Sequence, residues 1–331
     1  MTSELSTIPF IRLPLDVKHN VISNMDMIEF ISLSILSKSM KVLVKLYGCK
    51  CYFFEVVIRQ ECFVWIKIWP NSYVFTFYQT NDEQTNFMNH NGLRIGQHQW
   101  TSTIVEHFTM RCWLKHLLFI FNFNSIGLRI ESNTGNLESI INTFDGFKLE
   151  WLAFGDIGEE YTKNLLQNLP FTEIFAHRGR IDPTVYSEMT IQNMHLFCSN
   201  VNQGVTLSDI LLNNSENLEV RQSILTPKEL NRFLKLWMNN FSNPKLKSVL
   251  ISLSEDVNRF NIDDFKNEVM SSISYQEILG QELWQHYPAW YQRFFQRIPI
   301  DGLLIQRKDG TKAAVQLCIN ETVLFHMVLL P

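Results

Sequence analysis

No run in this sequence is long and apolar enough to span a bilayer. The longest candidate, Trp113 to Phe123, is broken by Lys115, His116 and Asn122, whereas a spanning helix needs about 20 mostly apolar residues. No positively charged start leads into an apolar stretch, so no secretory leader is expected. An excess of one charge is missing too. The net charge is −4 and the pI near 6.2, which gives no electrostatic case for nucleic acid or an anionic membrane as partner. The dinucleotide Gly-x-Gly-x-x-Gly, the P-loop and the Gly-x-Ser-x-Gly elbow are all absent, so the familiar phosphate cradles and nucleophile turn are not encoded.

Metal and nucleophile sets are equally sparse. The six cysteines are Cys49, Cys51, Cys62, Cys112, Cys198 and Cys318, and only Cys49 and Cys51 are close. Zinc sites call for a second pair or histidines at ligand spacing, so no metal is expected. Scattered thiols fit a reducing compartment, cytoplasm or nucleus. His107 and His116 lie about 13 Å apart along one helix, too far to share an ion. His195 and Cys198 are three apart in a strand-like piece and point to opposite faces, a poor base–nucleophile pair. Gly155–Glu160 is acidic and reads as a strand-to-helix loop with carboxylates at a helix start. No catalytic residue and no cofactor is indicated.

What is present is a chain of 331 residues, 46% hydrophobic, with 25 Phe. That composition favours folded domains over extended disorder. Residues 8 to 47 carry three short helical patterns. Leu13-Pro14 opens the first, with proline suited to a first helical position, and Val17, Val21 and Met25 recur every fourth residue. Asp26 and Glu29 have capping-box spacing. Phe30, Ile31 and Ile35 follow, and Ser37 starts a helix with Met40, Leu43 and Val44. About 40 residues rarely sustain a core unaided. The surplus apolar residues therefore need cover, from the downstream domain or from a partner.

Residues 51 to 79 alternate β-branched and aromatic residues and predict two or three antiparallel strands. Residues 80 to 98 read as a loop, and Thr101 to Phe121 as one long amphipathic helix. From Ile126 to Leu253, strand-like pieces alternate with helices. The markers Leu128, Leu152, Ile174, Leu196 and Leu218 are 24, 22, 22 and 22 residues apart. A near-constant period suggests stacked strand–helix units, with a compact doubly wound sheet as the alternative. Thr206 with Asp209, and Thr226-Pro227 with Glu229, are helix-start signals. Asp309-Gly310 between two strand-like runs predicts a hairpin, and Thr322 to Leu330 supplies a third strand.

With Leu152 and Phe154 placed inward, Trp151, Phe175, His177, Phe197 and Arg221 line an outward strip. Aromatics and arginine are enriched in binding hot spots, so this strip is the candidate target-binding face. The alternative is that residues 51–79 cover it.

Two resemblances add to this reading. Leu13-Pro14, Val17, Ile22, Leu33 to Leu36, Ser37-Lys38 and Leu43-Val44 resemble an F-box. That implies a three-helix motif docking on the Skp adaptor of a cullin–RING ubiquitin ligase, with Leu13, Pro14, Leu15, Val17, Ile22, Ile31 and Leu36 as contacts. Residues from about 130 to 260 resemble the type 2 F-box-associated domain of an expanded nematode family. The carrying phrases run from Leu207 to Ser215, from Leu225 to Trp237 and from Arg307 to Ala314. The expected organisation is a flexible N-terminus at 1–7, an F-box at 8–48, a β-rich segment plus long helix at 49–125, an F-box-associated repeat-like α/β domain at 126–255, and a C-terminal helix and β-meander cap at 256–331. The expected class is α/β, α+β overall: a three-helix F-box, then an irregular leucine-rich-repeat-like strand–helix solenoid with antiparallel β pieces at its ends. The implied function is a non-catalytic substrate receptor with the Skp adaptor, cullin and an unknown protein target as partners. The alternative is a protein-interaction module without ligase function.

Overall fold

The computed structural model of the chain describes residues 10–47, 51–59, 62–68, 71–78, 92–95, 101–104, 108–133, 136–169, 174–177, 183–192, 194–200, 205–253, 261–283, 301–319 and 322–330. The expected flexible stretch 1–7 and the aromatic run 287–291 lie outside these residues. The chain mixes helix and strand, with three helices at the N-terminal end and strands after them. It forms two compact units, Met1–Leu149 with Asn168–Pro170 and Glu150–Gln167 with Phe171–Pro331. The three-helix stretch thus shares its unit with the strands that follow it. The boundary falls at Leu149, inside the segment expected as one body from 126 to 255.

In the first unit, a 3-10 turn (Phe10–Arg12) precedes α1 (Leu15–Ser23), α2 (Met27–Leu36) and α3 (Lys38–Tyr47). Pro14 sits at the N-cap of α1, one residue before the first helical position. Asp26 caps α2 as its spacing predicts. Its carboxylate accepts from the Ile28 and Glu29 amides at 2.9 and 2.8 Å, while Glu29 accepts from the Asp26 amide at 3.0 Å. Strands β1 (Cys51–Ile58), β2 (Cys62–Ile68) and β3 (Asn71–Tyr78) form an antiparallel meander. Val64 and Ile66 are fully buried and Trp65 is exposed, the alternation of a strand with one core face.

Two expectations fail next. Gly92–Ile95 is strand β4, not loop, and Thr101–Ile104 is strand β5, not helix; the two pair antiparallel. Thr101, Thr103 and Ile104 are β-branched, which favours the pleat over the helix. The helix, α4, runs only from Met110 to Ile120, because Thr109 caps it by accepting from the Cys112 amide at 3.3 Å. Strand β6 (Ile126–Ile130) joins β1 in parallel, giving the order β6-β1-β2-β3-β4-β5, and α5 spans Leu137–Phe144. Phe121, just past α4, lies 6.4 Å from Phe75 of the sheet. Cys62 Sγ and Met110 Sδ are 3.6 Å apart, so α4 closes the core over the face carrying Phe75.

In the second unit, β7 (Leu149–Phe154), β8 (Ile174–His177), β9 (Leu196–Asn200), β10 (Asn217–Ser223) and β11 (Ser248–Leu253) run parallel. Helices α6 (Glu159–Asn168), α7 (Pro183–Thr190), α8 (Leu207–Leu212) and α9 (Pro227–Met238) connect them in turn. A connection of this kind needs a helix-length crossover. Helix α10 (Ile262–Val269), strand β12 (Gln276–Ile278) and the short α11 (Gly280–Leu283) follow. The chain then turns antiparallel through β13 (Gly302–Gln306), β14 (Lys312–Ile319) and β15 (Val323–Leu330), with β15 paired to β11. The meander thereby covers the sheet edge that β11 would leave open. At the β13–β14 turn Gly310 has φ +94°, which suits glycine, and the Arg307 amide donates to the Thr311 carbonyl at 2.8 Å.

Candidate protein-docking site

The three N-terminal helices have an inner and an outer face. Phe30, Ile31, Met40 and Val44 are buried, and the Phe30 ring stacks on Phe121 at 5.7 Å. On the outside, Leu15 is 64% exposed and Leu36 73%. Between α1 and α2 runs a groove of about 740 Å³ whose apolar lining includes Val17, Val21, Met25, Leu33 and Leu36, with Asn20 and Glu29 among its polar edges. Exposed apolar groups gathered in a concave patch make this groove the candidate docking surface.

Of the seven residues named from sequence, Pro14, Leu15, Val17 and Leu36 are exposed and Leu13 is half-buried. Ile22 and Ile31 are corrected, being 2% and 0% exposed. They hold the helices together from inside and offer no contact area in this conformation. Val21, Met25 and Leu33 also line the groove and were not among the seven. Their signal was present, since Val17, Val21 and Met25 recur every fourth residue, but such a stripe equally suits a core face. Here it is the wall of the groove.

The strip expected in the second unit does not assemble. Partners in a parallel ladder share a face, and a slip of one residue moves a side chain to the other side. Leu152 pairs with Phe175, Phe175 with Phe197, and Phe197 with Leu218. Phe197 therefore belongs to the row of Leu152 and is 1% exposed, with the Tyr186 ring against it at 5.7 Å. Phe175 and His177 stand in the inward register positions, beside Leu152 and Phe154; their side chains lie outside the described residues. Trp151 and Arg221 occupy the opposite face, half-buried. The error came from the repeat. Two of the three steps, 152 to 175 and 197 to 218, are odd, while the markers assumed even ones.

On that second face, Arg221 Nε lies 2.5 Å from the Glu219 carboxylate, whose residue is 4% exposed. Burial opposes the Arg221 charge, but the neighbouring carboxylate outweighs it and raises the guanidinium pKa. Among the described residues no cluster of three or more His, Cys, Asp or Glu is placed to hold a metal ion. Among the same residues no helix is long and apolar enough to cross a membrane.

Residues 10–52 match the F-box domain family, and residues 185–251 match the family described as F-box associated. This chain carries an F-box and an F-box-associated domain. It is also 27% identical over 319 residues, 94% of this chain and 95% of the relative, to the F-box associated domain-containing protein sdz-33 of Caenorhabditis elegans. No solved structure matches.

The F-box match covers all three helices with their groove. The F-box-associated match spans α7 to β11, and its family phrases prove structural. Thr226 and Glu229 form a reciprocal capping box at α9, with Pro227 at the helix start. Asn231 reaches from α9 to the Val269 and Ser271 carbonyls at 2.7 and 2.9 Å, closing the end of α10. Phe233, Leu234 and Trp237 are fully buried. Leu207 and Ile210 of α8 are buried, and Asn243 donates to the Ile210 and Asn213 carbonyls at 2.8 and 2.9 Å. The recognisable residues of the F-box-associated domain thus build its frame.

Proposed function

We propose that this chain is a substrate receptor of a Skp–cullin–F-box ubiquitin ligase. The F-box docks on the Skp adaptor, the F-box-associated body holds a protein target, and ubiquitin transfer belongs to other subunits. The observation that carries this reading is the division of the F-box. Its inner face is packed against its own unit, and its outer face leaves Val17, Val21 and Leu36 around an open apolar groove, with Leu15 exposed as well. F-box domains in general bind the Skp adaptor, and an apolar groove with polar edges suits a partner helix. Leu13, Pro14, Leu15, Val17 and Leu36 are the proposed contacts.

The body from β7 to β11 has the strand–helix alternation of a repeat, and we read it as leucine-rich-repeat-like. Trp151 and Arg221 remain the proposed target contacts, on the side of the sheet opposite Phe197. Such a receptor works in the cytoplasm or nucleus and has no catalytic residue of its own.

The test is co-purification with the Skp adaptor and cullin. Wild type is expected to bring down both. The Leu15→Asp/Leu36→Asp variant, melting like wild type, is expected to lose both. Adaptor capture that survives this variant and also Leu13→Ala/Pro14→Ala would sink the docking assignment. Capture of the adaptor without cullin would leave an interaction module with no ligase role.

A further inference from the structure

The joint between the F-box and α4 is mostly ring and aliphatic surface. Phe30 stacks on Phe121, and Lys41 and Lys45 place their ammonium groups 4.7 and 4.3 Å from the centre of the Phe119 ring. One pair in the joint differs. Ser34 on α2 and His116 on α4, 82 residues apart in sequence, bring Oγ and Nε2 to 2.7 Å, with the residues 1% and 4% exposed. Ser34 Oγ also lies 2.6 Å from the Ile31 carbonyl. That carbonyl only accepts, so when the hydroxyl proton turns to it the imidazole N–H donates to Ser34. The Trp113 and Phe108 rings stand 6.1 and 5.8 Å from the imidazole and hold it in place.

We propose that Ser34 and His116 are positioning residues that select one seating of the F-box on α4, and so fix where the docking groove faces relative to the sheet of the first unit. Aromatic and aliphatic surfaces tolerate sliding, because dispersion attraction is non-directional and one pairing of rings replaces another at little cost. A buried hydrogen bond does not. A slide or rotation that parts Ser34 from His116 leaves the imidazole nitrogen buried without a partner. Single buried polar groups are known to fix register in helical assemblies in this way. The inference concerns the geometry of one unit and stands whether or not the Skp adaptor is the partner.

The experiment measures orientation separately from stability. Spin labels are attached to unnatural amino acids at Ser23 and Ser72, both exposed, in the full chain, which leaves the native cysteines unlabelled. Wild type is expected to give one narrow distance distribution. The Ser34→Ala/His116→Phe variant removes both polar partners together, so its unfolding midpoint stays near that of wild type. Its distribution is expected to widen or split, while adaptor affinity changes less than about threefold because the outer face is untouched. A double variant with wild-type stability and a wild-type distribution overturns the proposal, as does a broad distribution in wild type. His116→Phe alone is the second check. It keeps an aromatic ring and strands no histidine, while Ser34 retains the Ile31 carbonyl as partner, and an unchanged distribution there also counts against the pair.

Discussion

The guanidinium of Arg307 lies 5.4 Å from the ring centre of Trp237, and the same side chain hydrogen-bonds the Asn240 amide oxygen. Next to it, the Lys308 amide donates to the Met238 carbonyl at 2.9 Å. The β13–β14 turn is thereby tied to the C-terminal end of α9. Asn240 takes the left-handed conformation there, with φ 63°, as residues after a helix end often do. Arg307→Ala is expected to destabilise the second unit by about 1–3 kcal/mol, through loss of the cation–π interaction and the hydrogen bond. Arg307→Lys recovers only part of this, since an ammonium lacks the planar fork. Urea midpoints of the three proteins check the order; a wild-type midpoint for Arg307→Ala rejects the role.

Ile31 and Leu36 sit five residues apart on α2, yet their substitutions are expected to act differently. Ile31 has no exposed surface, so Ile31→Ala costs about 2–5 kcal/mol through lost burial and a cavity. Leu36 is 73% exposed, so Leu36→Asp leaves stability within about 0.5 kcal/mol and weakens docking. Thermal melts paired with adaptor pull-downs separate the two effects. Equal melts for both variants would contradict the division into inner and outer faces.

Local signals were the legible part of this sequence. Asp26 with Glu29, Thr206 with Asp209, Thr226 with Glu229, and Asp309-Gly310 each act over three or four residues, and each forms as its spacing predicts. The F-box was legible because its three helices are consecutive and short. Long-range pairing was not. Nothing near Leu152 states that its neighbour is Phe175, and one residue of error there put the Phe175 and Phe197 positions on the wrong face while Trp151 and Arg221 kept theirs. Thr109 was overlooked because an apolar pattern flanks it on both sides, so one long helix stood where a strand and a helix belong. The buried pair of Ser34 and His116 had no sequence signal, since serine is mostly exposed, histidine is only intermediate in burial, and 82 residues separate the two.

The two sides of the second sheet give a further contrast. Phe197→Ala is expected to destabilise by about 3–5 kcal/mol, as for a fully buried ring. Trp151→Ser is expected to leave the fold intact and to reduce target capture. Arg221→Ala is a poor probe of binding, because it strands the nearly buried Glu219 carboxylate and destabilises by several kcal/mol. Affinity capture with the proteasome inhibited, comparing Trp151→Ser with wild type, tests the face. Full capture of every wild-type partner would remove Trp151 from the proposed site.

Acid is expected to loosen the F-box joint through His116. Burial, with the nearby Lys41 charge adding to it, lowers its pKa from 6.5 to about 4. Above pH 6.5 the imidazole is neutral in both folded and unfolded chains and contributes no pH dependence. As pH falls from 6.5 to about 4, the unfolded chain takes up a proton that the folded chain refuses, so stability declines. The slope for one such group approaches about 1.4 kcal/mol per pH unit. Below about pH 4 the folded form is protonated too and the loss from this group stops. His326 follows the same course in the second unit, its pKa lowered by burial to about 3. Carboxylates also titrate in acid, so the informative quantity is the difference between wild type and His116→Phe. Urea midpoints at pH 7.5, 6, 5 and 4 should show a shallower decline for His116→Phe. Parallel curves would mean that His116 is not a buried neutral group at the joint.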